Sequence, residues 1–269
     1  MSYPVITFLS DYGLSDHFVG VCHGTMARIC PQARIIDVTH GIARHDVRAG
    51  ALALAAGIPF MPRGVHLAVV DPAVGGQRRA VALATPDGRQ FVGPDNGLLM
   101  GIAEWCGGAV EVVEITHTRF RLEPVSATFH GRDLFAPVAA QLAAGVTLAE
   151  VGAPLDPAEL IALELPRAWT EGETIVAHAM YVDRFGNVGL NIGHGSLAEA
   201  GLKLGQRVFL VAGAGQYEAQ YARTFADVAP GELLVYEDAE RRLAVALSSG
   251  DAARALALQA GDELRVRPA

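Results

Sequence analysis

Three short segments carry most of the residues able to do chemistry. Ser10-Asp11-Tyr12-Gly13-Leu14-Ser15-Asp16 sets two carboxylates in a glycine-containing turn between an apolar run and a helical pattern. A carboxylate there can accept both hydroxyls of a ribose diol, or it can cap the helix; Asp11 and Asp16 are open to both roles. Asp71-Pro72-Ala73-Val74-Gly75-Gly76-Gln77-Arg78 doubles back at a proline and a glycine pair, so Asp71 and Arg78 can face one another. If exposed, such a pair is an ordinary loop ion pair worth under about 1 kcal/mol. His130-Gly131-Arg132-Asp133 lies much later, as a turn before a helix over residues 134–143. A further segment, Phe91-Val92-Gly93-Pro94-Asp95-Asn96-Gly97, reads as a turn feeding a helix at Leu98, since Asn-Gly is turn chemistry. Asp11, Asp16, Asp71, Asp95 and His130 are also hard-ligand types near strand ends, the pattern of a metal-dependent nucleotide phosphohydrolase.

The elements that must position these residues alternate in type. Residues 5–9, 34–38, 65–70, 80–84 and 110–115 read as strands. Between them, Asp16 can cap a helix with Phe18, Cys22, Met26 and Ile29 near one face, and Asp46 can open an alanine-rich helix. Strand–helix alternation predicts an α/β domain with an open central sheet flanked by helices, over residues 1–165. In such sheets ligands sit beyond the carboxyl ends of strands, where the polar segments fall. Residues 153–172 are rich in Pro, Leu and Glu without a clear period, as a linker would be. From residue 173 to 269, seven short strand patterns separated by glycine turns predict a smaller all-β domain, a barrel or a sandwich.

Composition narrows the partners. The chain has 269 residues, a net charge of −8 and no Lys/Arg run, so a footprint for nucleic acid or an anionic membrane is missing. The longest alanine- and leucine-rich stretch is broken by glycine and proline before it could span a bilayer. Cys22, Cys30 and Cys106 cannot all pair within the chain and form no CxxC, which reads as buried small residues in a reducing cytoplasm. A positive mean hydropathy points to apolar surface covered by other copies of the chain.

Taken together, these segments resemble one family, the S-adenosylmethionine hydroxide adenosyltransferases, which are related to the fluorinating and chlorinating enzymes. Six ordered blocks carry the resemblance over nearly the full length: Phe8-Leu9-Ser10-Asp11-Tyr12-Gly13 with Asp16, Asp37-Val38-Thr39-His40, Val69-Val70-Asp71-Pro72, Gly93-Pro94-Asp95-Asn96-Gly97, His130-Gly131-Arg132-Asp133, and Asp183-Arg184-Phe185-Gly186-Asn187. The resemblance implies hydrolysis of S-adenosylmethionine to adenosine and methionine, with Asp71, Arg78 and His130 as the nucleophile-positioning trio. It implies Asp11 on the ribose diol, Asp16 and Asp183 on the methionine ammonium, Phe185 against adenine and Asn187 reading an adenine edge. It further implies a homotrimer, with each pocket shared between the α/β domain of one subunit and the β domain of the next. The halide-using branch has Tyr and Thr where this chain has Asp71 and Val74, so the chain resembles the hydrolytic group.

Chemistry agrees with that assignment. Methionine leaves a sulfonium as a neutral thioether and needs no proton, so the reaction calls for a placed water or hydroxide and for no metal or other cofactor. Some positions depart from the family: Ala73 and Gly76 replace its Gly and Thr, Ala239 and Glu240 replace a Ser/Arg pair that meets the methionine carboxylate in the halogenating branch, and His45 replaces a Trp. Arg241 and Arg242 are the nearby cations able to take over the carboxylate, or else the exposed end of a hairpin. A noncatalytic binder of adenosine or S-adenosylmethionine is the reading from a different class.

Overall fold

The computed structural model describes residues 4–193 and 203–269, and the chain divides into two compact units, Met1–Leu163 and Glu164–Ala269. In the first, seven strands form one sheet: β1 (Val5–Ser10), β2 (Arg34–Thr39), β3 (Val65–Val69), β4 (Ala80–Ala84), β5 (Gln90–Pro94), β6 (Glu111–Glu114) and β7 (Ala153–Pro154). Their order is β2-β1-β3-β5-β4-β6-β7. The pairs β1–β2, β1–β3 and β3–β5 are parallel and the rest antiparallel. All five residues of β3 and five of six in β1 are buried, as expected for central strands covered on both faces.

Helices supply the cover, in the order α1 (Phe18–Ile29), α2 (Val47–Gly57), α3 (Met100–Trp105), α4 (Ala136–Ala143) and the single turn α5 (Leu148–Val151). On one face Ile6, Phe8, Leu67 and Val69 pack with Cys22 and Met26 of α1 and with Val138 and Ala139 of α4. On the other, Leu9, Ala68 and Val70 pack with Leu54 of α2 and Ile102 of α3. Period-two alternation along β3 thus feeds two separate cores.

Several local readings need correction. Asp16 does not cap α1; His17 holds the N-cap position and no side chain bonds there. Asp46 does cap α2, accepting from the Ala49 amide at 2.8 Å. Residues 90–94 are a strand, where a turn was expected, because β3 and β4 pair with them from both sides. The helix expected at Leu98 begins at Met100. His130 to Asp133 is no free turn: Gly131–Phe135 is one π-helical turn running directly into α4. The presumed linker also contributes β7, which pairs with β6.

The second unit contains β8 (Trp169–Glu171), β9 (Thr174–Val182), β10 (Val188–Gly193), β11 (Arg207–Ala212), β12 (Gly215–Tyr221), β13 (Leu233–Glu237), β14 (Arg242–Leu247) and β15 (Glu263–Pro268). The ring β9-β10-β14-β13-β12-β11-β15 closes through the β9–β10 pairing, so the unit is a seven-stranded barrel with β8 added beside β9. Alternating Ile175, Ala177 and Ala179 of β9 fill it with Leu190, Leu210, Val245 and Val266. One short helix, α6 (Ala252–Leu256), was not foreseen; Asp251 caps it at the Arg254 amide.

Candidate active site

From β1 the chain passes to β2 on one side, and β3 then takes the opposite side of β1. That reversal makes the carboxyl ends of β1 and β3 a topological switch point, the place where open α/β sheets bind ligands. Asp11 directly follows β1, and Asp71 lies two residues past β3.

The predicted trio is assembled. Arg78 Nε donates to both oxygens of Asp71 at 3.0 Å, and Arg78 Nη2 donates to Asp71 Oδ2 at 2.5 Å. The same Nη2 lies 2.8 Å from His130 Nδ1. Only 8% of the Arg78 side chain and 6% of Asp71 are exposed, so this is no exposed loop pair. The guanidinium also stacks over Phe135, 5.1 Å from the ring centroid. A buried ion pair of this kind gives weak net stabilisation but a fixed geometry.

Because Arg78 can only donate, His130 Nδ1 must accept, which leaves the proton on Nε2. Burial first, and then the Arg78 charge, hold the His130 pKa below its ordinary value, with Asp71 and Asp133 pulling the other way. His130 therefore enters neutral chemistry as an N–H donor, and the positive charge of the trio resides on Arg78 alone.

Neighbouring backbone brings the loops together. Gly75 has φ +77° and its bare α-carbon abuts the Ala127 carbonyl, so the loop after Asp71 packs on the segment leading into His130. Asn96 Nδ2 donates to the Val70 carbonyl at 2.8 Å, and Asn96 Oδ1 accepts from the Leu98 amide, which pins the chain one residue before Asp71. Sequence reasoning gave Asn96 only turn chemistry. Asp133 accepts from the Ser126 amide and from Arg132, fixing the approach to His130 from behind.

The substrate-binding candidates divide between the units. Asp11 Oδ2 accepts from the amide of His45, which sits at φ +65°; its other oxygen makes no hydrogen bond among the described residues. Asp16 is solvent-exposed. In the barrel unit, residues 183–187 join β9 to β10. Asp183 Oδ1 accepts from the amides of Phe185 and Asn187, and Asp183 Oδ2 accepts from Asn187 Nδ2. Asp183 thus organises its own loop, and Asn187 spends one donor on it. Phe185 stands 71% exposed at the tip. Arg241 lies in the β13–β14 turn and pairs with Glu237 at 3.1 Å, its side chain mostly exposed.

The metallohydrolase set does not converge. Asp95 is locked by Arg79 at 2.8 Å and by the Ile161 amide. Among the described residues, the ligand atoms of Asp11, Asp16, Asp71, Asp95 and His130 form no cluster of metal-binding size.

An α/β unit with the Asp71–Arg78–His130 cluster past its central strands, followed by a closed seven-stranded barrel, defines a two-domain protein of the α/β-plus-barrel class. The chain belongs to the SAM hydroxide adenosyltransferase family: its N-terminal domain matches residues 6–152 and its C-terminal domain residues 177–265. The chain is 49% identical over 263 residues to the (R)-S-adenosyl-L-methionine hydrolase of Salinispora tropica, covering 98% of this chain and 97% of that one. It is 30% identical to the fluorinase of Actinoplanes sp. (strain N902-109), over 96% of this chain and 95% of that one. The crystal structure of an uncharacterized conserved protein from Thermotoga maritima superposes with a TM-score of 0.92 at 37% identity, covering 97% and 99% of the two chains.

Proposed function

We propose that this chain hydrolyses S-adenosyl-L-methionine to adenosine and L-methionine. The observation that carries the reading is the Asp71–Arg78–His130 constellation, its Asp71 and Arg78 side chains almost fully buried and His130 half-buried, at the carboxyl ends of the central strands where Asp11 also lies. An oxygen of water forms a bond to the ribose C5′ while the C5′–sulfur bond breaks, its electron pair returning to sulfur. The water proton passes through Asp71 to solvent. Asp71 orients the water as a hydrogen-bond acceptor, and Arg78 with His130 Nε2–H stabilises its developing hydroxide character. Opposite charges cancel as hydroxide meets a sulfonium, so a water-poor site favours the transition state. In-line placement of the two reactants can contribute about 7–11 kcal/mol.

Asp11 takes the ribose diol through its free oxygen, Phe185 and Asn187 take adenine, and Asp16 and Asp183 meet the methionine ammonium. We assign a homotrimer in which residues 183–187 reach the trio of a neighbouring copy. Exposed Leu14 beside Asp11 and exposed Phe185 are apolar groups that such an interface covers. Three free, buried cysteines fit a cytoplasmic location.

The test is incubation of the purified chain with S-adenosylmethionine, with and without chelator, following adenosine and methionine by chromatography. Equimolar products formed regardless of chelator support the reading. Bound but unchanged substrate moves the chain to the binders, and chelator-sensitive phosphate release from nucleotides moves it to the metallohydrolases. Light scattering reads the assembly; a monomer would remove the trimer.

A further inference from the structure

The block Asp37-Val38-Thr39-His40 has no part in the proposed reaction, yet it belongs to the one group, among the described residues, in which three ligand-type side chains converge. His23 projects from α1, Asp37 from β2, and His40 directly follows β2. His23 Nε2 and His40 Nε2 lie 2.8 and 3.1 Å from the same oxygen, Asp37 Oδ1. The His40 side chain is only 2% exposed, and its Nε2 makes no aligned hydrogen bond: the approach to Asp37 is short but misdirected. A buried ring nitrogen aimed at a carboxylate, without the geometry of a hydrogen bond, is the arrangement a cation completes.

We propose that His23, Asp37 and His40 bind one divalent transition-metal ion of the zinc type, with water in the fourth position. Two imidazoles and one carboxylate suit zinc, whereas magnesium and calcium take mostly oxygen. In a tetrahedral zinc site, bonds of about 2.0–2.1 Å put neighbouring ligand atoms roughly 3.3 Å apart, so the two histidine–Asp37 separations need open by only a few tenths of an ångström. A partner for the far ring nitrogen of His40 is already in place. Ser10 Oγ sits 2.8 Å from His40 Nδ1, and by accepting the Nδ1 proton it leaves the Nε2 lone pair for the metal. The ion would tie α1 to β2 and, through the His40 carbonyl that accepts from the Gly13 amide at 2.8 Å, to the turn that carries Asp11. None of the three ligands belongs to the trio, so the site stands or falls independently of the proposed reaction.

The test needs no substrate. Full-length chain stripped with chelator is dialysed against Zn²⁺, and a parallel sample is loaded with Co²⁺ for its visible spectrum. The expected result is one zinc per chain, a tetrahedral cobalt absorption, and slower amide hydrogen exchange across residues 10–16 on zinc binding. His23→Ala, at a partly exposed helix position, should abolish stoichiometric binding while keeping the far-ultraviolet circular dichroism of the parent. Ser10→Ala should weaken affinity by roughly 10–100-fold. Less than stoichiometric zinc in the parent, or undiminished binding in both His23→Ala and Asp37→Asn, would overturn the proposal and leave a hydrogen-bonded cluster.

Discussion

The hydroxyl of Tyr12 occupies the space that a β-carbon on Gly131 would need. Tyr12 follows Asp11 and Gly131 follows His130, so this contact clamps the β1 turn against the start of the π-helical turn. The ring cannot easily swing aside, because Phe8, Phe18 and Phe129 stand against it edge-on. Burial, followed by the charges of Cys22, Asp11 and Asp71, keeps the phenol protonated well beyond its ordinary range, so it sits there as a neutral hydroxyl.

Gly131→Ala should therefore cost about 1–3 kcal/mol by overpacking and displace His130 or Asp11 from their present positions. Tyr12→Phe in the same chain removes the worst clash and should recover part of that loss. Thermal unfolding of the two single variants and the double variant measures it; additive losses would show that the contact is not shared.

Acid sensitivity should arise in part from His66. Its ring is fully buried against Thr7 and Phe91, and burial, then the Arg89 charge, hold its pKa at about 4. In the unfolded chain it titrates near 6.5, so between pH 6.5 and 4 the unfolded state binds the extra proton. The stability is fully present above pH 6.5 and declines as pH falls through that window, by roughly 3 kcal/mol in all. Urea midpoints across this range should show a shallower slope in His66→Gln than in the parent; identical slopes would remove His66 as the cause.

How much of this was legible in the sequence depended on whether the signal was local. β1, β3 and the seven strands of the barrel ring were readable because each is a short apolar or alternating run bounded by turn residues. β5 was not, because Gly93-Pro94 looks like a turn; only pairing on both sides, with the Gly93 α-carbon under the Ala68 carbonyl, makes a strand of it. Asp71 and Arg78 are one loop apart, so their meeting could be foreseen, but its burial depends on Phe135 and the packing of Gly75 on Ala127. The convergence of His23 with Asp37 and His40 left no local trace, since it needs α1 to dock beside β2. The neutral state of His130 likewise required knowing that Arg78 donates to it.

Asp183 accepts three hydrogen bonds inside its own loop, so Asp183→Ala should free residues 184–187 before it affects the barrel. At about 1 kcal/mol or more per lost bond, the loop should sample other conformations while the melting temperature moves little. If Phe185 and Asn187 hold adenine, KM should rise with a smaller change in kcat. Equal falls in kcat and kcat/KM would instead place Asp183 at the reacting centre.

Asp71→Asn is the sharpest test of the trio, because it keeps the shape and removes the charge. Arg78 would retain one acceptor in a pocket where its side chain is 8% exposed, so a buried cation would lose its counter-charge. Removing one partner of such a pair costs about 3–5 kcal/mol, and the surviving amide oxygen should keep the loss at the lower end. The chain should still fold and bind S-adenosylmethionine, since Asp11 and the loop at residues 183–187 are untouched. Turnover should fall by about 10²–10⁴-fold, the usual range for a lost proton acceptor. Calorimetry for binding and adenosine release for turnover separate the two effects. Unchanged turnover would exclude Asp71 as the residue that orients the water, whereas lost binding would make it a substrate contact.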